Sequence, residues 1–170
     1  MDDLFEAIGS HDPECKKLQE LLAVAKFKSL LKVADDGSGY TPVTYAVYKK
    51  NTDGLKHLLN HKGDPTHIDG NGDNSLELAL GRNDPKTVQF LLKNGANPHQ
   101  HNGLHCYPLY FAVEYCHVDI VRMLVTEGAD PEYKGTGGVV TPLQFARNSL
   151  KKSPANRHWV TMVSILEKAT

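Results

Sequence analysis

Histidines and one cysteine crowd a single short stretch, His99-Gln100-His101-Asn102-Gly103-Leu104-His105-Cys106. In an extended chain successive side chains alternate sides, so His99 and His101 would point the same way. Imidazole nitrogens and a thiolate are donors that zinc accepts, which makes His99, His101, His105 and Cys106 a candidate metal set. The spacing argues against it, because zinc ligands usually come paired as C-x2-C or H-x3-5-H. The plainer reading is an exposed, histidine-rich loop that contacts a partner and responds to mild acid.

Other chemistry is thinner still. Gly135-Thr136-Gly137-Gly138 has the glycines of a phosphate cradle, but no Lys-Ser/Thr follows and no strand precedes it. Cys116-His117 places a thiol beside a base, a nucleophile pair in composition only. Lys151, Lys152, Arg157 and His158 form a small basic patch of the kind that loops carry as solvated charge. Trp159 is expected to pack at the start of the last helix. No catalytic residue, cofactor or metal is called for, and the chain reads as a non-enzyme.

The elements that hold these residues announce themselves by repetition. Pro65, Pro98 and Pro131 stand 33 residues apart, and each closes a similar phrase: Leu58-Leu59-Asn60-His61-Lys62-Gly63-Asp64-Pro65, Leu91 through Asn97-Pro98, Leu124 through Asp130-Pro131. A period in this range means stacked units that bury apolar faces only against their neighbours. A second landmark, Thr41-Pro42-Val43-Thr44-Tyr45-Ala46, recurs as Asn74–Ala79, Tyr107–Ala112 and Thr141–Ala146. Thr41 and Thr141 suit a helix N-cap, and Pro42 and Pro142 suit the first helical position, where no amide hydrogen is needed. Some 12 residues after each alanine comes an i, i+3, i+4 stripe: Leu55, Leu58, Leu59; Val88, Leu91, Leu92; Val121, Leu124, Val125. Gly95 and Gly128 then supply left-handed caps. Each unit is a helix, a turn, a helix and an extended loop.

Taken together, Thr-Pro-Leu-x-x-Ala, then Ile120-Val121-x-x-Leu124, then Gly128-Ala129-Asp130, resemble the ankyrin repeat. The resemblance covers about residues 36–170, with a weaker unit before it. It implies an all-α solenoid of about five helix-turn-helix units, whose hairpin-like finger loops project toward a concave binding face. The units are 1–35 (an atypical N-terminal cap), 36–68, 69–101, 102–135 and 136–170, with a loop inserted near 149–158 and broken by Pro154. His11-Asp12-Pro13 would turn between the two helices of the cap, and Phe27–Ala34 does not fit the later loop length. Cys116-His117 falls where the family has Gly-His, which makes it a turn.

Departures from the family pattern are expected to matter. Its usual histidine is replaced by Thr44, Glu77, Tyr110 and Gln144, so the side-chain bond to the threonine should be missing throughout. The third unit has Asn74-Ser75 in place of Thr-Pro, and Lys62 takes a cap position with glycine displaced to Gly63. Such an array should have modest stability.

Residues that stacking leaves free form the expected partner face. They are Ser38, Tyr40, Tyr48 and Lys49, then Asn71, Asp73, Gly81 and Arg82. Leu104, Cys106, Glu114 and Tyr115 follow, with Asn148 and Ser149 last. Tyr40, Tyr48, Arg82 and Tyr115 are the expected anchors, since Tyr and Arg dominate interface hot spots.

Bulk properties agree with a binding module. The 170 residues carry a net charge of −1, which exerts no general pull on nucleic acid or an anionic membrane. Hydrophobic residues make up 40%, too many for a disordered chain. No apolar run approaches the roughly 18 residues of a spanning helix, and Met1-Asp2-Asp3-Leu4-Phe5-Glu6 lacks the character of a secretory signal. Three cysteines without framework spacing read as reduced thiols in a cytoplasmic setting. The expectation is a monomeric adaptor for a protein partner, with neither nucleic acid nor membrane involved. Two alternatives stand beside it. One is a metal- or pH-responsive module built on His99, His101 and His105. The other is the targeting portion of a larger enzyme, or of a secreted microbial effector acting in the cytosol of a host cell.

Overall fold

A four-residue capping exchange sets the start of three inner helices. In the computed structural model, which describes residues 2–10, 12, 14–23, 39–100, 107–134 and 140–170, the Thr44 N–H donates to Thr41 Oγ1 at 3.1 Å. The Thr41 N–H donates back to Thr44 Oγ1 at 2.8 Å. Asn74 and Glu77 make the same exchange at 3.0 and 3.2 Å, as do Thr141 and Gln144 at 3.1 and 3.3 Å. This reciprocal pair satisfies amide donors that a helix start otherwise leaves unpaired. It corrects the expectation that losing the family's histidine removes the bond throughout. Thr44, Glu77 and Gln144 all offer an acceptor oxygen at the third helical position, and in the second unit the Thr41 and Thr44 hydroxyls also lie 3.1 Å apart. Tyr107, with Tyr110 at the third position, starts its helix without a side-chain cap.

The inner helices of these four units are α3 (Pro42–Tyr48), α5 (Ser75–Gly81) and α9 (Pro142–Lys152), which carry the cap, and α7 (Pro108–Glu114), which does not. Each is followed by an outer partner: α4 (Thr52–Asn60), α6 (Pro85–Lys93), α8 (Val118–Thr126) and α10 (Arg157–Glu167). Ahead of them lie α1 (Asp2–Gly9) and α2 (Lys16–Ala23), which pack on α3 and α4 respectively. The inner helices α1, α3, α5, α7 and α9 contact one another in sequence, and each touches its own outer helix. The described residues contain no strand. The core follows the predicted stripes: Ala46, Ala79, Ala112 and Ala146 on the inner layer and Leu58, Leu91 and Leu124 on the outer are fully buried. Leu4, Ile8, Leu18 and Leu22 extend it into the first unit.

Turns repeat as faithfully as helices. Lys62, Gly95 and Gly128 all take left-handed backbone, with φ of 69°, 92° and 90°. The next N–H in each case reaches five residues back, as Gly63 to Leu58 O (2.8 Å), Ala96 to Leu91 O (3.0 Å) and Ala129 to Leu124 O (2.9 Å). That is the Schellman closure. Lys62 therefore occupies the glycine's place in register, and Gly63 is not a displaced cap. Gly63 is needed for room, because a Cβ there would sit 2.9 Å from both Leu58 O and Val43 Cγ2. Beyond each closure, Asp64, Asn97 and Asp130 accept the N–H two residues ahead, at 2.9, 2.9 and 2.8 Å. These turns explain why the repeated phrase ends in Asp/Asn-Pro.

One boundary differs from expectation. Residues 149–152, assigned to an inserted loop, continue α9, and 157–158 begin α10, so only Ser153–Asn156 links the two. Leu150 packs against the core, Lys151 and Lys152 complement the negative end of the helix dipole, and nothing breaks the helix before Pro154. Trp159 packs where expected, edge-on to Phe145 at 6.2 Å. The readings that fall on Ser38, Phe27–Ala34, Gly135–Gly138, His101, Leu104, His105 and Cys106 lie outside the described residues. Among the described residues no helix is long and apolar enough to cross a membrane.

Candidate partner-binding face

The side chain before each inner-helix alanine is large and only partly buried: Tyr45, Leu78, Phe111 and Phe145. Together they form a semi-exposed row across four units. Sequence reasoning missed this row, although its spacing is that of the alanines themselves. Beside it run Tyr48, Gly81 and Glu114, then Lys49, Arg82 and Tyr115, at the ends of α3, α5 and α7.

Aromatic packing is dense at the second unit. Tyr40 stacks on Tyr48 with centroids 4.8 Å apart, and Tyr45 meets Phe5 of α1 edge-on at 5.0 Å. The Lys49 ammonium lies 5.6 Å from the Tyr45 centroid and 6.0 Å from that of Tyr48. Arg82 arrives from the third unit with its guanidinium 5.1 Å from the Tyr48 centroid. Its Nη1 donates to the carbonyls of Val47 (2.8 Å) and Tyr48 (2.6 Å). Those carbonyls end α3, where Val47 O also accepts the Lys50 N–H at 3.1 Å. Arg82 is thus committed within the chain, while Tyr48 stays 42% exposed. Tyr40 is half-buried.

Acidic groups flank the same cluster from the finger of the third unit. Asp69 is buried, and its Oδ1 accepts the N–H groups of Asn71 (2.9 Å) and Asp73 (3.2 Å). Its Oδ2 has no hydrogen-bond partner among the described residues. Burial, and then the Asp69 charge, push the Asp73 carboxyl above its usual range. Burial also raises the Tyr40 phenol, helped by Tyr48, Asp69 and Asp73 and opposed by Arg82. The fingers of the two units are tied by the Gly70 N–H donating to Gly39 O at 2.6 Å.

The fourth unit supplies a second aromatic step. Tyr115 stacks on Phe111 at 4.4 Å and is 58% exposed, with exposed Glu114 beside it. His117 follows, its Nδ1 buried without a hydrogen-bond partner among the described residues. The structure therefore brings Tyr40, Tyr48, Lys49, Asp73 and Arg82 together, and sets Glu114 and Tyr115 one unit further on.

Chemistry beyond binding finds little support here. Burial raises the Cys116 thiol and lowers the His117 imidazole, which disfavours a thiolate–imidazolium pair. His99 is exposed on its loop, and no group of three or more His, Cys, Asp or Glu among the described residues is arranged to hold a metal ion. Cys15 and Cys116 are free thiols.

Comparison with known proteins identifies the repeat family. The family model described as ankyrin repeats (3 copies) matches residues 4–102 and 71–135. An ankyrin repeat protein of Fowlpox virus (strain NVSL), FPV222, is 40% identical over 58 residues, which is 34% of this chain and 8% of the viral protein. Transient receptor potential cation channel subfamily A member 1 of Homo sapiens is 27% identical over 113 residues, 62% of this chain and 10% of the channel. The chain thus spans about a tenth of the length of either relative.

Proposed function

The chain belongs to the ankyrin repeat family, and from that we propose that it is a non-catalytic adaptor holding a protein partner across its inner-helix face and fingers. Ankyrin repeats are in general protein–protein interaction modules. The observation that carries the specific reading is the pair of exposed tyrosines, Tyr48 and Tyr115, each already stacked on a neighbouring ring. A pre-stacked aromatic offers contact area with little rotamer entropy left to lose. Lys49, Asp73 and Glu114 supply charges of both signs around it, and Tyr40 and Arg82 hold the first step in shape. The partner's backbone would follow the row Tyr45, Leu78, Phe111, Phe145.

Affinity capture from lysate tests this, with wild type beside a Tyr48→Ala/Tyr115→Ala variant whose melt shows it to be folded. A protein retained by wild type and lost by the variant is the expected result. Identical capture by both proteins would remove this face from consideration.

A further inference from the structure

The outer layer carries two grooves of similar size and different chemistry. Between α6 and α8 the groove of about 440 Å³ is lined by Lys86 and Arg122 but also by Asp119 and Glu127, so both signs are present. Between α8 and α10 lies a groove of about 460 Å³ whose lining includes Arg122 and Lys168 and no carboxylate. Helix register accounts for the contrast. Buried Ile120, Val121 and Leu124 of α8 correspond to buried Met162, Val163 and Leu166 of α10. Thr161 and Ser164 therefore stand where α8 has Asp119 and Arg122, and two short neutral side chains leave that wall low. The floor beneath is apolar, with Val125 and Ile165 half-buried. Val160 is 50% exposed, and no other large aliphatic side chain on the described helices is left so open.

Neither cation meets a carboxylate within this groove, although Arg122 also borders Asp119 and Glu127 in the neighbouring one. Neither Arg122 nor Lys168 forms an ion pair among the described residues. Glu167, next to Lys168 in sequence, is taken by Arg147 of α9 at 2.8 Å. An apolar floor between two cations, in a groove lined by no carboxylate, favours a ligand that is apolar at its centre and anionic at its edge.

We propose that the α8–α10 groove is a second docking surface, for a protein segment that seats an aliphatic side chain against Val160 and directs a carboxylate toward Arg122 and Lys168. It lies on the outer helices, whereas Tyr48 and Tyr115 end inner helices. It does not depend on the inner-face reading. If both faces bind, the adaptor joins two proteins.

Selection from a random-peptide display library on the intact chain tests the groove. Peptides enriched on wild type should pair an aliphatic residue with Asp or Glu. They should bind Val160→Asp at least roughly tenfold more weakly, weaken in high salt, and bind Tyr48→Ala/Tyr115→Ala as they bind wild type. Lys168→Glu alters an exposed helix end and keeps the test decisive if Val160→Asp folds poorly. On that variant the acidic peptides should lose affinity. Enriched peptides without carboxylates, acidic peptides indifferent to Lys168→Glu, or no enrichment at all would overturn the proposal. Self-association seen by sedimentation and abolished by Val160→Asp would assign the groove to a second copy of the chain, and would overturn it too.

Discussion

Arg82 holds the helix that presents Tyr48. The guanidinium reaches back one unit, donates to the Tyr48 carbonyl at 2.6 Å and to the Val47 carbonyl at 2.8 Å, and covers the Tyr48 ring at 5.1 Å. An anchor of the proposed partner face is thus fixed by a residue that belongs to its neighbour. The interaction also crosses the α3–α5 interface, so it contributes to stacking as well as to shape.

Removing that strut should cost about 1–3 kcal/mol, since a charged donor to two helix-end carbonyls and a cation–π contact are lost together. Arg82→Lys should recover only part of this, because a single ammonium cannot reproduce the planar fork. Urea melts of wild type, Arg82→Ala and Arg82→Lys measure both effects. Equal midpoints for all three would show that the strut carries no stability.

Lys62 and Gly63 should respond in opposite directions to the exchange of glycine and side chain. Lys62 is held at φ 69°, in the place where the next two units have Gly95 and Gly128. Lys62→Gly should stabilise the chain by about 1 kcal/mol by removing left-handed strain. Gly63→Ala should destabilise it, because the added Cβ meets Leu58 O and Val43 Cγ2 at 2.9 Å. Ala96 and Ala129 occupy the matching positions of later units, so the penalty is local to this turn. Thermal melts of the two variants would sink the register given above if both moved the same way.

Stability should fall on mild acidification because of His117. Burial lowers its folded-state pKa below the ordinary value of 6.5. Above that value the ring is neutral in both states and costs nothing. As pH drops through it, the unfolded chain takes up the proton first, so stability is lost progressively down to the folded pKa. Asp119, His158 and Cys116 line the same pocket. His117 also sits at the N-cap of α8 without capping it, whereas Asn51 and Asp84 accept the N–H groups of Gly54 (2.7 Å) and Thr87 (3.1 Å) at matching positions. His117→Asn should therefore add about 1 kcal/mol at neutral pH and flatten the profile just below pH 6.5. Asp84 titrates elsewhere. Burial works against its charge, but the hydrogen bonds from Thr87 prevail and hold it below 3.8. An unchanged acid limb in His117→Asn would point to another group.

Much of this fold was legible because its signals are local and periodic. Leu58, Leu91 and Leu124 mark the outer stripe by helical spacing and are fully buried as read. Thr41-Pro42 and Thr141-Pro142 mark helix starts by chemistry that acts within one turn. What escaped was either long-range or compensated. The partners of Arg82 lie 35 and 34 residues away, and no motif encodes them. Glu77 and Gln144 restored a cap that a search for histidine counted as lost. Lys151 and Lys152 look loop-like beside Pro154, yet both are helical because the break comes only after them. Tyr45, Leu78, Phe111 and Phe145 shared the period but were overlooked, since apolar residues in a repeat are first read as core.

Core and face should separate cleanly in one experiment. Leu91 is fully buried in the outer layer of the third unit, and Leu91→Ala should cost about 2–5 kcal/mol through lost burial and a residual cavity. In a stacked array each unit is stabilised by its neighbours, so the loss should lower one shared transition rather than melt the third unit alone. Any failure of Leu91→Ala to bind would then reflect unfolded chain, and capture should return on cooling below its melting midpoint. The Tyr48→Ala/Tyr115→Ala variant should melt near wild type and stay deficient at every temperature. Capture by Leu91→Ala that fails while the protein is folded would tie this outer-layer leucine to recognition, and would move the partner surface away from the inner helices.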